Sequence, residues 1–206
     1  MIRPLLGPVL GIAVLAVAVS GCQLLSTPEP VQMYRFGGGG EPMIVERSAA
    51  IDPVTLSLRR VEFPEAVEGD KILGVTGTET AYIAGARWVS PAADLYMESL
   101  ENAFSAQATR VRIIGPRELS RGERSLNVDV RAFEARYDAP GAAPMVVVTA
   151  RARLLALPDR SVAAERTFTV QQPAAANRVS AIVEAFDIAT RDLNTQIVAW
   201  TDANAG

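Results

Sequence analysis

The reactive side chains of this 206-residue chain include one cysteine and no histidine. Without histidine, imidazole acid–base catalysis, Ser-His-Asp and Cys-His nucleophiles and His-based zinc sites are excluded, and one cysteine excludes an internal disulfide. Carboxylates cluster at residues 62–68 and 98–101, but neither cluster predicts the buried acid pair that acid catalysis requires. A serine activated by Lys71 lacks a supporting motif. The sequence therefore predicts a protein that is not an enzyme and holds no metal.

The single cysteine, Cys22, follows a segment that is typical of an export signal. Arg3 supplies a positive charge and residues 4–19 carry none, which gives an apolar stretch of the length that a secretory signal needs. Residues 19–21 are Val, Ser and Gly, one branched and two small residues, as in the lipobox of bacterial lipoproteins. We therefore expect cleavage before Cys22, a diacylglycerol on its thiol and a third acyl chain on its freed amine.

Two alternatives stay open for this segment: a transmembrane anchor, and an ordinary signal peptide with a chance cysteine. The apolar stretch is short for a membrane span, which needs about 20 apolar residues. We therefore divide the chain into a signal peptide over residues 1–21, a lipidated tether over 22–30 and one domain over 31–206. Because Gln23 rather than aspartate follows the cysteine, the periplasmic face of the outer membrane is favoured over the inner membrane.

The first part of this domain alternates apolar and polar residues, which is typical of half-buried strands. Strands are predicted over residues 31–36, 54–61, 71–76 and 80–88. The last two strands can pair across Gly77. Ser90 as N-cap and Pro91 at the first helical position predict a helix that runs to about residue 108. A short strand over residues 110–114 follows the helix.

Three long antiparallel strands and a helix make up the rest of the domain. The strands are predicted over residues 125–137, 145–157 and 162–170. A phase shift near Ala132 and Phe133 indicates a β-bulge in the first of them. Asn177 is the expected N-cap of the last helix, whose apolar residues recur at steps of three and four from Val179 to Trp200. The fold class is therefore α/β, with a mixed sheet flanked by two main helices.

Several short sequences stand in a recognisable order along the chain. They are the lipobox at 19–22, Met-Tyr-Arg-Phe at 33–36, Phe-Pro at 63–64, Ala-Arg-Trp at 86–88, Leu-Asn-Val-Asp-Val at 126–130 and Val-Ala-Trp at 198–200. This order resembles the ABC-type transport auxiliary lipoprotein family, which accompanies the MCE-domain (mammalian cell entry) lipid-transport systems of Gram-negative bacteria. Four glycines at 37–40 and the long gap before residue 54 depart from the family pattern.

The resemblance implies an anticodon-binding-domain-like α/β sandwich that serves as a non-catalytic subunit of a transporter for phospholipids or other hydrophobic solutes. The implied partners are an MCE-domain substrate-binding protein, a permease and a cytoplasmic ATPase. The chain is expected to meet the membrane through the lipid on Cys22 and to need no other cofactor, and homo-oligomers are left open. A formal net charge of −3 argues against nucleic acid as a partner.

Tyr82, Ile83 and Trp88 are the candidate partner-binding residues, because they lie beside strands spaced by glycines. The alternative for Trp88 is core packing under the helix. A second function is also considered: a lipid carrier with its own apolar cavity. Aromatic residues make up only 6% of the chain and helices interrupt the strands, which favours the accessory role.

Overall fold

Eight strands and three helices follow one another in the described part of the computed structural model, which comprises residues 30–38, 52–114, 122–157 and 159–206. In chain order they are β1 (Gln32–Tyr34), β2 (Val54–Leu58), α1 (Glu65–Glu68), β3 (Lys71–Thr76), β4 (Glu79–Trp88), α2 (Ala92–Gln107), β5 (Val111–Ile113), β6 (Arg124–Tyr137), β7 (Met145–Ala156), β8 (Val162–Pro173) and α3 (Val179–Asn204). The predicted mixed α/β fold with two main helices is confirmed. The four-residue helix α1 was not predicted.

The long strand β6 joins the two parts of one open, mixed sheet. On one side, β7 runs antiparallel along β6, and β8 runs antiparallel to β7. On the other side, the start of β6 pairs in parallel with β2 and its end pairs in parallel with β3. β5 extends the sheet beyond β2, while the β3–β4 hairpin and then β1 extend it beyond β3. The first strand therefore joins the sheet as a parallel neighbour of β4.

A β-bulge in β6 sets which of its side chains face the core. The pairing with β7 shifts between Val130 and Ala132. Before the shift the buried residues are at even positions, as at Val128, and after it they are at odd positions, as at Phe133 and Ala135. The predicted bulge is confirmed, and it turns the Phe133 ring toward the helices.

Four aromatic rings from four separate segments fill the centre of the core. The Phe133 ring centroid lies 4.7 Å from that of Phe186 on α3 and 5.1 Å from that of Phe36, which follows β1. Trp88, at the end of β4, packs edge-on against Phe36 and Phe186 at 4.9 and 5.4 Å. All four side chains are at most 2% exposed. We call these four residues the aromatic cluster.

Neither predicted helix cap is formed. Pro91, rather than Ser90, stands at the N-cap of α2 with extended backbone (φ −48°, ψ 136°), and Arg178, rather than Asn177, stands at the N-cap of α3. Neither position makes a side-chain capping bond. Instead, the first N–H of α2 donates to the carbonyl oxygen of Gly69 at 2.8 Å. A tertiary contact thus satisfies the N-terminal helix donor for which the sequence predicts a local side-chain cap.

Replacing Phe133 with alanine should lower the free energy of unfolding by about 3–5 kcal/mol, because it opens a cavity among fully buried rings. Trp200→Ala is the matched control. The sequence alone predicts the same large loss there, but Trp200 is only partly buried and packs edge-on against Phe168 at 5.8 Å. Trp200→Ala should therefore lower the free energy of unfolding by less than Phe133→Ala. Urea unfolding measures both, and equal losses would contradict the central position of Phe133.

Candidate functional site

The predicted lipidation site, Cys22, lies outside the described residues, together with the predicted signal peptide and the tether up to residue 29. The described chain begins at Pro30, and the residues from Val31 to Gly206 form one compact unit. The folded unit begins one residue before β1. The packing of β1 therefore decides how the first residues of this unit are held.

The segment after β1 is fixed by burial and by a tight backbone turn. Phe36 inserts its ring into the aromatic cluster. Gly37 then adopts a positive φ of +71° and donates its N–H to Asp187 Oδ1 on α3 at 2.8 Å. A Cβ at Gly37 would collide with the Ser99 side chain on α2. Glycine is therefore required here both by its backbone angle and by the lack of space.

Trp88 does not belong to an exposed patch. Its side chain is 1% exposed and packs among the aromatic cluster. It therefore has no surface to offer a partner, and of the two interpretations made from the sequence the core one is correct. Strand alternation explains why Trp88 is buried. It faces the core, whereas its neighbours Arg87 and Val89 are partly and largely exposed.

Tyr82 and Ile83 line a shallow cleft of about 340 Å³ at the end of the β3–β4 hairpin, which we call the hairpin cleft. Gly74 forms its floor: a Cβ there would lie 3.2 Å from Tyr137 Cε2 and 3.9 Å from Ile83 Cγ1. Tyr137 comes from the end of β6 and was not identified from the sequence. Its position follows from the parallel pairing of Thr76 with Tyr137, which no local pattern reveals.

The aromatic walls of the hairpin cleft are partly fixed. The Tyr82 hydroxyl donates to the Ala66 carbonyl oxygen at 3.1 Å, and the Lys71 ammonium lies 4.6 Å from the centroid of its ring. Tyr82 is nevertheless 45% exposed. Partial burial raises the pKa of the Tyr137 phenol, which also lines the cleft. The cleft is thus lined by one largely exposed and one partly buried aromatic residue.

The carboxylates considered above are distributed among cations. Glu62 and Glu68 line a polar cleft of about 740 Å³ together with Arg59 and Arg60. Glu98 forms an ion pair with Arg35. The described residues contain no group of three or more His, Cys, Asp or Glu side chains able to hold a metal. Within the same described ranges, no helix is long and apolar enough to cross a membrane.

Comparison with protein families identifies one match. The family model described as ABC-type transport auxiliary lipoprotein component matches residues 41–198. This span includes most of the folded unit, including the hairpin cleft. A comparison with curated proteins gives no match.

Solved structures with a similar fold come from several bacteria. A protein of Xanthomonas campestris, XCC0632, is 26% identical, with a TM-score of 0.68 over 84% of this chain and 96% of its own. An uncharacterised protein is 17% identical, with a TM-score of 0.65 over 84% of this chain and 99% of its own. The hypothetical protein CT253 of Chlamydia trachomatis is 10% identical, with a TM-score of 0.51 over 74% and 98%. The latter two similarities concern the fold alone.

The turn at Gly37 gives a test of how β1 is attached. Gly37→Ala should lower the free energy of unfolding by about 2–4 kcal/mol, because backbone strain and collision with Ser99 add together. Gly77→Ala is the matched control. Gly77 also has a positive φ (+60°), but a Cβ at this residue would lie more than 4 Å from its surroundings. It should cost only about 1 kcal/mol. Chemical denaturation measures both, and equal losses would show that Ser99 leaves room for the methyl group.

Proposed function

This chain belongs to the family of ABC-type transport auxiliary lipoprotein components, and we propose that it is a lipid-anchored, non-catalytic accessory subunit of an MCE-type ABC transport system. The solutes of such a system are phospholipids or other hydrophobic molecules. The family match over residues 41–198 is the observation that carries this proposal. The partners we propose are an MCE-domain substrate-binding protein, the permease and the ATPase.

The proposed anchor explains how a domain of this kind can act without catalytic groups. Acyl chains on Cys22 hold a protein at a bilayer stably when two or more are present. A tethered domain meets its partners at a raised effective concentration, because its search is confined to a thin layer. Since Gln23 follows the cysteine, we place the domain at the periplasmic face of the outer membrane.

The hairpin cleft is the surface that we propose for partner docking. Tyr82 offers a large exposed ring that its hydrogen bond to Ala66 holds in place, and such preorganised aromatic residues contribute strongly at interfaces. Ile83 and Tyr137 line the same cleft. An apolar side chain from the MCE-domain protein or the permease would fill the cleft.

The packing of the core supports the accessory role over the lipid-carrier alternative. A carrier needs an apolar cavity that encloses acyl chains, whereas the space between the sheet and the helices is occupied by the aromatic cluster. The hairpin cleft, at about 340 Å³, lies at the lower end of the range for small-molecule pockets. For the described residues, the filled space between the sheet and the helices therefore favours phospholipid binding by the partners.

Mass spectrometry of the protein purified from a bacterial envelope tests the anchor. We expect a chain that begins at Cys22 and carries a diacylglycerol and one further acyl chain, without stoichiometric phospholipid beyond that covalent lipid. Cys22→Ser should leave the protein unprocessed and unacylated. Gln23→Asp is the matched control, which should remain acylated but move to the inner-membrane fraction of a density gradient.

Two outcomes of that experiment would contradict the proposal. An unmodified sulfur with the leading peptide still attached would remove the anchor. One bound phospholipid per chain, extracted from the purified protein, would favour the carrier. The mass of the detergent-solubilised complex determines in addition whether the chain forms a homo-oligomer.

Docking at the hairpin cleft is tested by combining Tyr82→Ala with Ile83→Asp. Loss of an aromatic anchor typically costs about 2 kcal/mol or more, so recovery of the MCE-domain protein and permease should fall by about tenfold or more. Val162→Ala is the matched control, because Val162 is 56% exposed and lies on β8, away from the cleft. Both partners are quantified by their peptides after affinity purification. Undiminished recovery would exclude the cleft as the docking surface.

A further inference from the structure

Large apolar side chains are exposed mainly in one region of the described residues. Of the seven that are more than a third exposed, Val31, Met33, Tyr82 and Val89 lie on β1 and β4 or directly beside them, at 47, 51, 45 and 49%. Exposed apolar groups that occur singly need no explanation, but a cluster of them indicates an interaction surface.

The sheet register places Met33 in one row with two cations, Arg87 and Lys71. Met33 on β1 is the partner of Arg87 on β4, and Arg87 is the partner of Lys71 on β3. The Lys71 ammonium in turn lies over the Tyr82 ring. Neighbouring strands are about 4.8 Å apart, so this row is continuous across three strands.

Strand alternation puts the row on the face of the sheet away from the core. Tyr34 and Trp88 are also partners, and both pack into the core. Their neighbours Met33 and Arg87 therefore point the opposite way, and Val89 continues the same face. We call Val31, Met33, Lys71, Arg87 and Val89 the β1 patch.

The charge of the β1 patch is positive. Arg87 forms an ion pair with Asp70, whose oxygens lie 3.0 Å from Nη1. Lys71 adds a second cation and an aromatic neighbour, Tyr82. Aliphatic side chains, a ring with a polar tip and a lysine that pairs with no carboxylate among the described residues are a composition that suits the headgroup region of a phospholipid membrane.

The point where the chain enters the domain identifies the occupant of this patch. Val31 is the first residue after the tether, nine positions beyond Cys22, so an acylated Cys22 keeps it within about 30 Å of the bilayer. A protein partner can dock on any face, whereas a membrane-binding face must lie close to the anchor. The β1 patch begins at Val31, the first residue of the folded unit.

We propose that the β1 patch rests on the phospholipid surface beside the anchor, with Val31, Met33 and Val89 inserted among the headgroups. This inference rests on the membrane anchoring of the proposed function. Contact at a second point stops the domain from rotating freely about its tether. The hairpin cleft, which Tyr82 joins to the patch, is thereby held at a fixed height above the membrane.

Site-specific fluorescence on the full-length lipoprotein tests this contact. Cys22 is the only cysteine and acylation consumes its thiol, so a cysteine introduced by Met33→Cys or Val89→Cys can be labelled alone. The protein is reconstituted in vesicles of phosphatidylethanolamine and phosphatidylglycerol, some bearing nitroxide lipids. Labels at both positions should be quenched by the nitroxides and be several-fold less accessible to aqueous iodide than a label introduced by Val162→Cys.

Introduction of a negative charge provides the second arm of the test. Met33→Asp should make a label at position 89 as accessible to iodide as the label at position 162, while Val162→Asp should leave the label at position 89 protected. Met33 is 51% exposed, so its replacement does not disturb the core. Equal iodide quenching at positions 33, 89 and 162, or a chain that does not associate with the vesicles, would overturn the proposal.

The outcome of this fluorescence test does not depend on whether the proposed transport role is correct. The vesicles contain no MCE-domain protein, permease or ATPase, so failure of those partnerships leaves the quenching pattern unchanged. Conversely, a patch that stays in water would leave the docking experiment at the hairpin cleft unaffected.

Discussion

The β-bulge in β6 is the constraint on which the rest of this structure depends. Because one residue is inserted opposite β7, the buried side chains change from even to odd positions, and Phe133 turns inward. Without that shift, Phe133 would face solvent, and the rings of Phe36, Trp88 and Phe186 would lose their common neighbour. The aromatic cluster connects β1, β4, β6 and α3, which are far apart in sequence.

This cluster also determines how the proposed anchor is joined to the domain. β1 pairs with β4 over only three residues, too few to be stable by itself. Burial of Phe36 and the hydrogen bond from Gly37 to Asp187 supply the missing stability. A firmly held β1 keeps the exposed residues Met33 and Arg87 in register, so the outer face of β1 has a defined shape.

The packing of the core favours a domain that acts through contacts at its surface. The interior is filled by close-packed rings and aliphatic side chains, and the candidate sites lie at the β3–β4 hairpin and on the outer face of β1. The proposed accessory role needs such surfaces, because a tethered subunit of this kind would act by holding its partners in place. Only Tyr82 and Ile83 of the three candidate residues contribute to the hairpin cleft, and Tyr137 completes it.

The sequence by itself determined what local signals can encode: the hairpin across Gly77, the bulge near Phe133 and the long amphipathic helix that became α3. These follow from periodicity and from backbone preferences of neighbouring residues. The lipobox at Cys22 stays a prediction. The tertiary structure decided that Trp88 is buried in the core and that the Gly69 carbonyl oxygen accepts the first N–H of α2. It also decided that Tyr137 lies near Ile83. Each of these depends on pairing between distant segments, and side-chain pattern does not specify which strands become neighbours in a sheet.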